Sequence, residues 1–487
     1  MIRSIRILLL GMMCVSVAGF AQPSIDSLLL LPDTVRGFSI ENFYATLLES
    51  HPLVKQARLL SETAQQEVRL ARGAFDPKLE SKFSTKDFQD KDYYNKWMAS
   101  LTIPVWFPID PKIGIENNEG TFINPESSIP VSDNYRQLQT GISLPVGRGL
   151  FTDERRAAVK QAQLFTKLAE AEQIKLINKI LLEAAKEYWQ WYYAYYSYRL
   201  FTNSAQIASE VYRRVHLNAT LGEASAIDTV QSKITLQQRL IERQEAYLEF
   251  LNQGIRISNY LWDAKESPVL LMPSVAPILV PGEDQLLSLQ TLQELKFLAR
   301  QNHPDLQKIN IKLSQLEVER KLAVEYLKPR LDLSYSFLNQ PIGPEGSFQS
   351  FKFGSDYKFG VDFSIPILLR KERAKLGQTK IKIRGTELER TQSEREILNQ
   401  VQQVFNQLTN TNLILVQQTA MVYNYEQLLR AELMNLELGE SDLFKINVQQ
   451  EKLIQSQTKL LKLKADYEKL KATLYWAAGV RNLNAAP

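Results

Sequence analysis

The chain holds three histidines, and two of them sit in matching local settings. Ser50-His51-Pro52-Leu53 and Asn302-His303-Pro304-Asp305 lie 252 positions apart, each histidine directly before a proline. An imidazole can hold a metal or move a proton near neutral pH. Proline, however, is favoured at the first position of a helix, where its missing N–H would be unpaired anyway. The duplicated His-Pro pairs therefore read as helix starts and not as ligands, and His216 stands alone. No HExxH helix, GxSxG elbow, P-loop or GxGxxG turn occurs. Acidic pairs such as Glu317 and Glu319 fall in charge-rich helical stretches, where solvation accounts for them. The residues predict no catalytic group, no cofactor and no metal site: the chain does not read as an enzyme.

The single cysteine, Cys14, lies in an uncharged run from Ile7 to Ala21 that follows Arg3 and Arg6. The run ends in Gly19-Phe20-Ala21, with small residues where a signal peptidase reads, so residues 1–21 are expected to be a signal peptide. At about 15 residues the run is short of the roughly 20 needed to span a bilayer. Met13 before Cys14 argues against lipid attachment. A chain starting near Gln22 has no thiol for disulfide, metal or nucleophilic chemistry. The best later uncharged stretch, Ser267 to Gly282, is broken by Pro268, Pro273, Pro277 and Pro281. That leaves a soluble periplasmic protein or a β-barrel, the other structure that satisfies its backbone in lipid. The formal charge of +4 falls to +2 without Arg3 and Arg6, which argues against nucleic acid as a partner.

The elements that would position these residues occur twice. Phe75-Asp76-Pro77-Lys78-Leu79 returns as Leu327-Lys328-Pro329-Arg330-Leu331 at the His-Pro offset of 252. Ile142-Ser143-Leu144-Pro145 returns as Phe363-Ser364-Ile365-Pro366, now offset by 221. Leu221-Gly222-Glu223 returns as Leu438-Gly439-Glu440 at 217, and Leu261-Trp262 as Tyr475-Trp476 at 214. Five landmarks in one order imply two halves of one design, 22–262 and 291–480, with a proline-rich linker over 263–290 and a tail over 481–487. The fall from 252 to 221 puts about 31 extra residues between Lys78 and Pro145.

Within each half the apolar period changes from helical to alternating and back. Helices are expected over 52–72 and 304–327, followed by alternating runs over 78–88, 137–144, 330–337 and 358–365. Such runs suit membrane-barrel strands with lipid on one face and water on the other; in isolation they also suit an ordinary half-buried sheet. From Pro145 to Gly222 and from Pro366 to Gly439 no internal proline intervenes. Each stretch can hold one helix on the order of 100 Å long. Leu181, Ala184, Tyr188, Trp191, Tyr195 and Tyr198 keep the 3-4 spacing of a coiled-coil seam, as do Ile397, Val401, Val404, Leu408, Thr411, Leu415, Gln418 and Val422. The aromatics crowded over 188–198 read as packing against neighbouring helices. Trp97, Trp106 and Phe107 read either as an interfacial girdle or as loop packing. Four strands per chain cannot close a barrel, so several copies must pool them.

This layout resembles the TolC-like outer-membrane efflux proteins over nearly the whole length from Phe38 to about Val480. The resemblance rests on the duplicated plan, the His-Pro pairs and the Ser-Leu-Pro and Ser-Ile-Pro strand exits. The tip segments Leu221-Gly222-Glu223-Ala224-Ser225-Ala226-Ile227-Asp228 and Leu438-Gly439-Glu440-Ser441-Asp442-Leu443 add to it. It implies a mainly α protein with membrane β: a homotrimeric α-helical barrel in the periplasm joined to a 12-stranded β-barrel in the outer membrane, four strands per chain. It implies passive exit through the duct, energised by an inner-membrane pump through a periplasmic adaptor protein, with lipid as the other partner. The Leu-Gly turns would be the periplasmic tips, and the extra residues would enlarge the first external loop. Asp228 matches a family aspartate that helps hold the aperture shut, whereas Lys445 and Val448 stand where the second tip often carries aspartates. The resting aperture is therefore expected to be neutral or mildly anion-preferring. A soluble periplasmic coiled-coil adaptor or scaffold is the alternative; it leaves the alternating runs without a role.

Overall fold

The computed structural model describes residues 36–124, 126, 137–222, 224–278, 288–339, 356–438 and 440–480. The expected signal peptide with Cys14, Gly439, residues 279–287 of the linker and the tail from 481 lie outside the described residues.

A three-residue strand β1 (Arg36–Phe38) leads into α1 (Ile40–Ser50) and α2 (Pro52–Arg72). Four strands follow: β2 (Lys78–Phe88), β3 (Lys91–Thr102), β4 (Asp110–Glu119) and β5 (Gln137–Pro145). Then come the long α3 (Glu154–Thr220), α4 (Ala226–Ser258) and the short β6 (Val275–Pro277). The second half runs α5 (Leu289–Asn302), α6 (Pro304–Glu325), β7 (Arg330–Asn339), β8 (Tyr357–Ser364), α7 (Arg370–Glu437) and α8 (Leu443–Ala477). At 67 and 68 residues, α3 and α7 each extend on the order of 100 Å. Among the described residues no helix is long and apolar enough to cross a membrane.

His51 and His303 do the same job. Each is the N-cap of a helix whose first residue is Pro52 or Pro304. The imidazole Nδ1 accepts a hydrogen bond at 3.2 Å from the backbone N–H of Leu53 or Asp305. That contact satisfies one of the N–H groups a helix start leaves unpaired. Burial holds both imidazoles below the ordinary histidine pKa, which preserves the neutral, accepting form.

Packing is concentrated in two clusters around the middle of the long helices. In the first, Phe43, Leu47 and Val54 meet Tyr188, Trp191, Tyr195, Phe250 and Ile257. The Tyr188 ring stacks on Phe43 at 5.9 Å, and its hydroxyl lies 2.8 Å from the Phe38 carbonyl, so the aromatic stretch is core. In the second, Leu292, Leu295, Ala299 and Leu306 meet Ile397, Val401, Leu408 and Leu474. β1 and β6 pair in parallel beside the first cluster.

The large sheet has the order β2-β3-β4-β5-β7-β8, antiparallel throughout. The expected count of four strands per chain is exceeded, because the extra residues of the first half form β3 and β4 instead of a larger external loop. Gln89 and Asp90, at φ 55° and 53°, make the two-residue turn that folds β3 back on β2.

The exposed sheet and the helical tips

Following the registers across the sheet separates its two faces. One row runs Leu79, Leu101, Ile113, Thr140, Phe337, Tyr357. The adjacent row runs Lys78, Thr102, Lys112, Gly141, Ser336, Lys358. The alternation continues along β7 and β8, where Leu331, Leu333 and Tyr335 oppose Phe363, Val361 and Phe359. This apolar face has nothing packed on it: Leu79 is 77% exposed and Phe363 65%. Such a surface on a folded protein needs an apolar partner. The sheet is held to the helices by a bidentate pair, Arg155 to Asp110 at 3.1 and 3.2 Å, at the end where β5 leads into α3. Pro145 closes β5, and Pro366 stands two residues beyond β8.

At the far end of the long helices the chain turns at Gly222, whose φ of +81° belongs to the left-handed region that glycine enters freely. Ser225 and Asp228 then form a reciprocal cap. The Ser225 Oγ accepts from the Asp228 N–H at 3.3 Å, and an Asp228 carboxylate oxygen accepts from the Ser225 N–H at 3.2 Å. In the second tip Asp442 caps α8 by accepting from the Lys445 N–H at 2.8 Å. The Lys445 Nζ lies 3.8 Å from the other Asp442 oxygen. Asp228 and Lys445 thus occupy the same third helical position in the two tips, and each is engaged within its own turn.

Arg239 was not foreseen. Its side chain is 4% exposed and reaches Glu242 on α4 and Glu451 on α8, both at 2.7 Å. Burial opposes ionisation of Glu451, but the hydrogen bonds from Arg239 and Gln455 carry its pKa below the ordinary carboxylate value. Among the described residues no group of His, Cys, Asp and Glu could hold a metal ion.

Residues 297–480, covering α6 to α8 and the strands between them, match the family model described as outer membrane efflux protein. The match falls on the second of the two structural halves. The fold of the whole agrees with solved channels. The CmeC outer membrane channel of Campylobacter jejuni is 13% identical, aligns over 90% of this chain and 85% of its own, and gives a TM-score of 0.60. The outer membrane protein VceC of Vibrio cholerae is 15% identical over 90% and 96%, with a TM-score of 0.62. The open state of the MtrE outer membrane channel of Neisseria gonorrhoeae is 13% identical over 90% and 88%, with a TM-score of 0.60. No curated protein sequence matches. The matched half and the half before it share the arrangement of strands, long helix and tip, and the chain has the TolC-like channel fold.

Proposed function

We propose that the chain is the outer-membrane exit duct of a tripartite efflux or secretion system. The observation that carries this reading is the sheet: an uncovered apolar face backed by a polar one, set at the end of helices about 100 Å long. Lipid covers the apolar face and water fills the side behind it. The open edges β2 and β8 require further copies of the chain, since unpaired strand edges are not tolerated in lipid. A second feature supports assembly. Ile227, Ile234, Ile241, Leu248 and Ile255 recur at every seventh position of α4 and are all exposed, a seam awaiting a neighbouring helix. The copies form a homotrimer whose helices make a periplasmic barrel. Its tips meet a periplasmic adaptor and an inner-membrane pump, and transport through the duct itself is passive.

Fractionation of cells expressing the protein tests the reading. The expected result is an outer-membrane location and an oligomer band on gel electrophoresis that collapses on heating. A monodisperse monomer in detergent-free buffer would overturn it and favour a soluble adaptor.

A further inference from the structure

The two halves differ in one respect that changes the wall of the duct. β2 and β7 correspond, each following a proline (Pro77 or Pro329) after a helix, and β5 corresponds to β8, each leading toward a long helix. In the second half the corresponding strands pair directly, Arg330 with Ser364 through Phe337 with Tyr357. In the first half β3 and β4 stand between them. We propose that β3 and β4 are additional membrane-spanning strands of the barrel. Each copy then supplies six strands to the wall, and the β2 edge of one copy pairs with the β8 edge of the next.

Four observations carry this. The ladder is unbroken through the added pair, from Asn95 with Glu119 to Thr102 with Lys112, and from Asp110 with Ser143 to Glu116 with Gln137. The faces continue into the added pair from the helical end: Leu101 and Ile113 fall in the apolar row and Lys112 in the polar row beside it, and the apolar face runs on to Trp97 and Ile115 before Asn95, Asn117 and Glu119 end it at the outer side. Both strands are long enough, at 12 and 10 residues, for a tilted strand that needs about 9–11 to cross. The connection at 103–109 returns to the helical end of the sheet, where Trp106 packs on Phe75 at 5.4 Å and Phe107 is exposed, aromatics suited to a membrane interface. A hairpin lying outside the membrane would need none of these.

The added strands also share the stagger a barrel requires. Leu79 corresponds to Leu331, yet its row meets β7 at Phe337, six residues further along. Strand tilt and stagger of this kind accompany closure. Five antiparallel steps leave β2 and β8 running in opposite directions, so edge pairing between copies keeps the up-and-down order. Whatever the number of copies, six strands in place of four widen the barrel by about one and a half times, because diameter grows roughly linearly with strand number. Three copies give eighteen strands. The outer opening then admits cargo of larger cross-section than a four-strand share would pass.

The inference rests on the duct reading, and labelling separates the two. Single-cysteine variants in membranes are treated with a membrane-impermeant maleimide: Lys96→Cys, Met98→Cys and Lys112→Cys on the polar face, Trp97→Cys, Leu101→Cys and Ile113→Cys on the apolar face. Lys358→Cys and Phe359→Cys on β8 serve as the reference pair. The expected result is labelling at 96, 98, 112 and 358, with 97, 101, 113 and 359 protected until the membrane is dissolved and the protein denatured. Alternation at 358 and 359 with uniform labelling of β3 and β4 would overturn the six-strand wall and leave the duct intact. Uniform labelling at every position would overturn both.

Discussion

The guanidinium of Arg239 lies 2.7 Å from a carboxylate oxygen of Glu451, joining the second helix of one tip to the second helix of the other across 212 positions of sequence. Such a charge has no reason to be buried unless it is paired. Removing it with Arg239→Gln leaves Glu242 and Glu451 without their shared partner. Because Glu451 is itself part-exposed, the loss is expected to be about 1–3 kcal/mol, below that of a fully buried pair. Thermal unfolding of Arg239→Gln, Glu451→Gln and the double variant should be non-additive, the double variant losing less than the two single changes together. Strict additivity would show that the contact carries no energy.

The histidine caps make stability depend on pH. Burial lowers the pKa of His303, Asp305 opposes that shift and Lys175 adds to it, and the net direction is downward. The unfolded chain therefore takes up a proton first, near its ordinary value of about 6.5. The contribution of the neutral cap is complete above that pH and is lost as pH falls through it toward the lower folded-state value. The melting temperature should drop between pH 7 and 5. His303→Asn, which keeps an accepting cap but cannot titrate, should flatten that drop; an unchanged slope would assign it elsewhere.

The helices after the two His-Pro pairs, the two long helices and four of the strands are legible because each is local: His-Pro at a helix start, a 3-4 apolar seam, or alternation over eight or more residues. β3 and β4 are not. Along β3, Tyr93 and Tyr94 are adjacent, and Asn95 falls on the face that Trp97, Ala99 and Leu101 make apolar. Along β4 only Ile113 and Ile115 mark that face before Asn117 and Glu119 end it. What reveals these strands is pairing with neighbours whose pattern is clearer, which is information the strands do not carry themselves. Arg239 was hidden for a similar reason, since Glu451 becomes its partner only once the two tips are brought together.

Two glycines at positive φ should respond differently to alanine. Gly222, at +81°, has open space where a Cβ would go, so only the backbone preference is lost, about 1–2 kcal/mol. Gly479, at +69°, would place a Cβ 2.8 Å from the Cα of His303, so the helix end and the α6 start must also move apart. Gly479→Ala should lower the melting temperature more than Gly222→Ala. The reverse order would mean that the contact with His303 yields easily.

Lys445 offers a test of aperture charge in which folding and selectivity can be read separately. It holds the same helical position in the second tip that Asp228 holds in the first, where the carboxylate completes a reciprocal cap. In Lys445→Asp the new carboxylate can reach back to the Asp442 N–H in the same way, and negative charge near a helix N-terminus is favourable by about 0.3–1 kcal/mol. The nearby Asp442 carboxylate, which now lies 3.8 Å from the lysine ammonium, subtracts part of that gain. The variant is therefore expected to fold as well as the parent while moving two units of charge per copy in the second tip. In planar bilayers with a salt gradient its reversal potential should shift toward cation preference, most at low ionic strength where screening is weakest. A reversal potential unchanged at low salt would place Lys445 away from the conducting path, as an ordinary solvated charge.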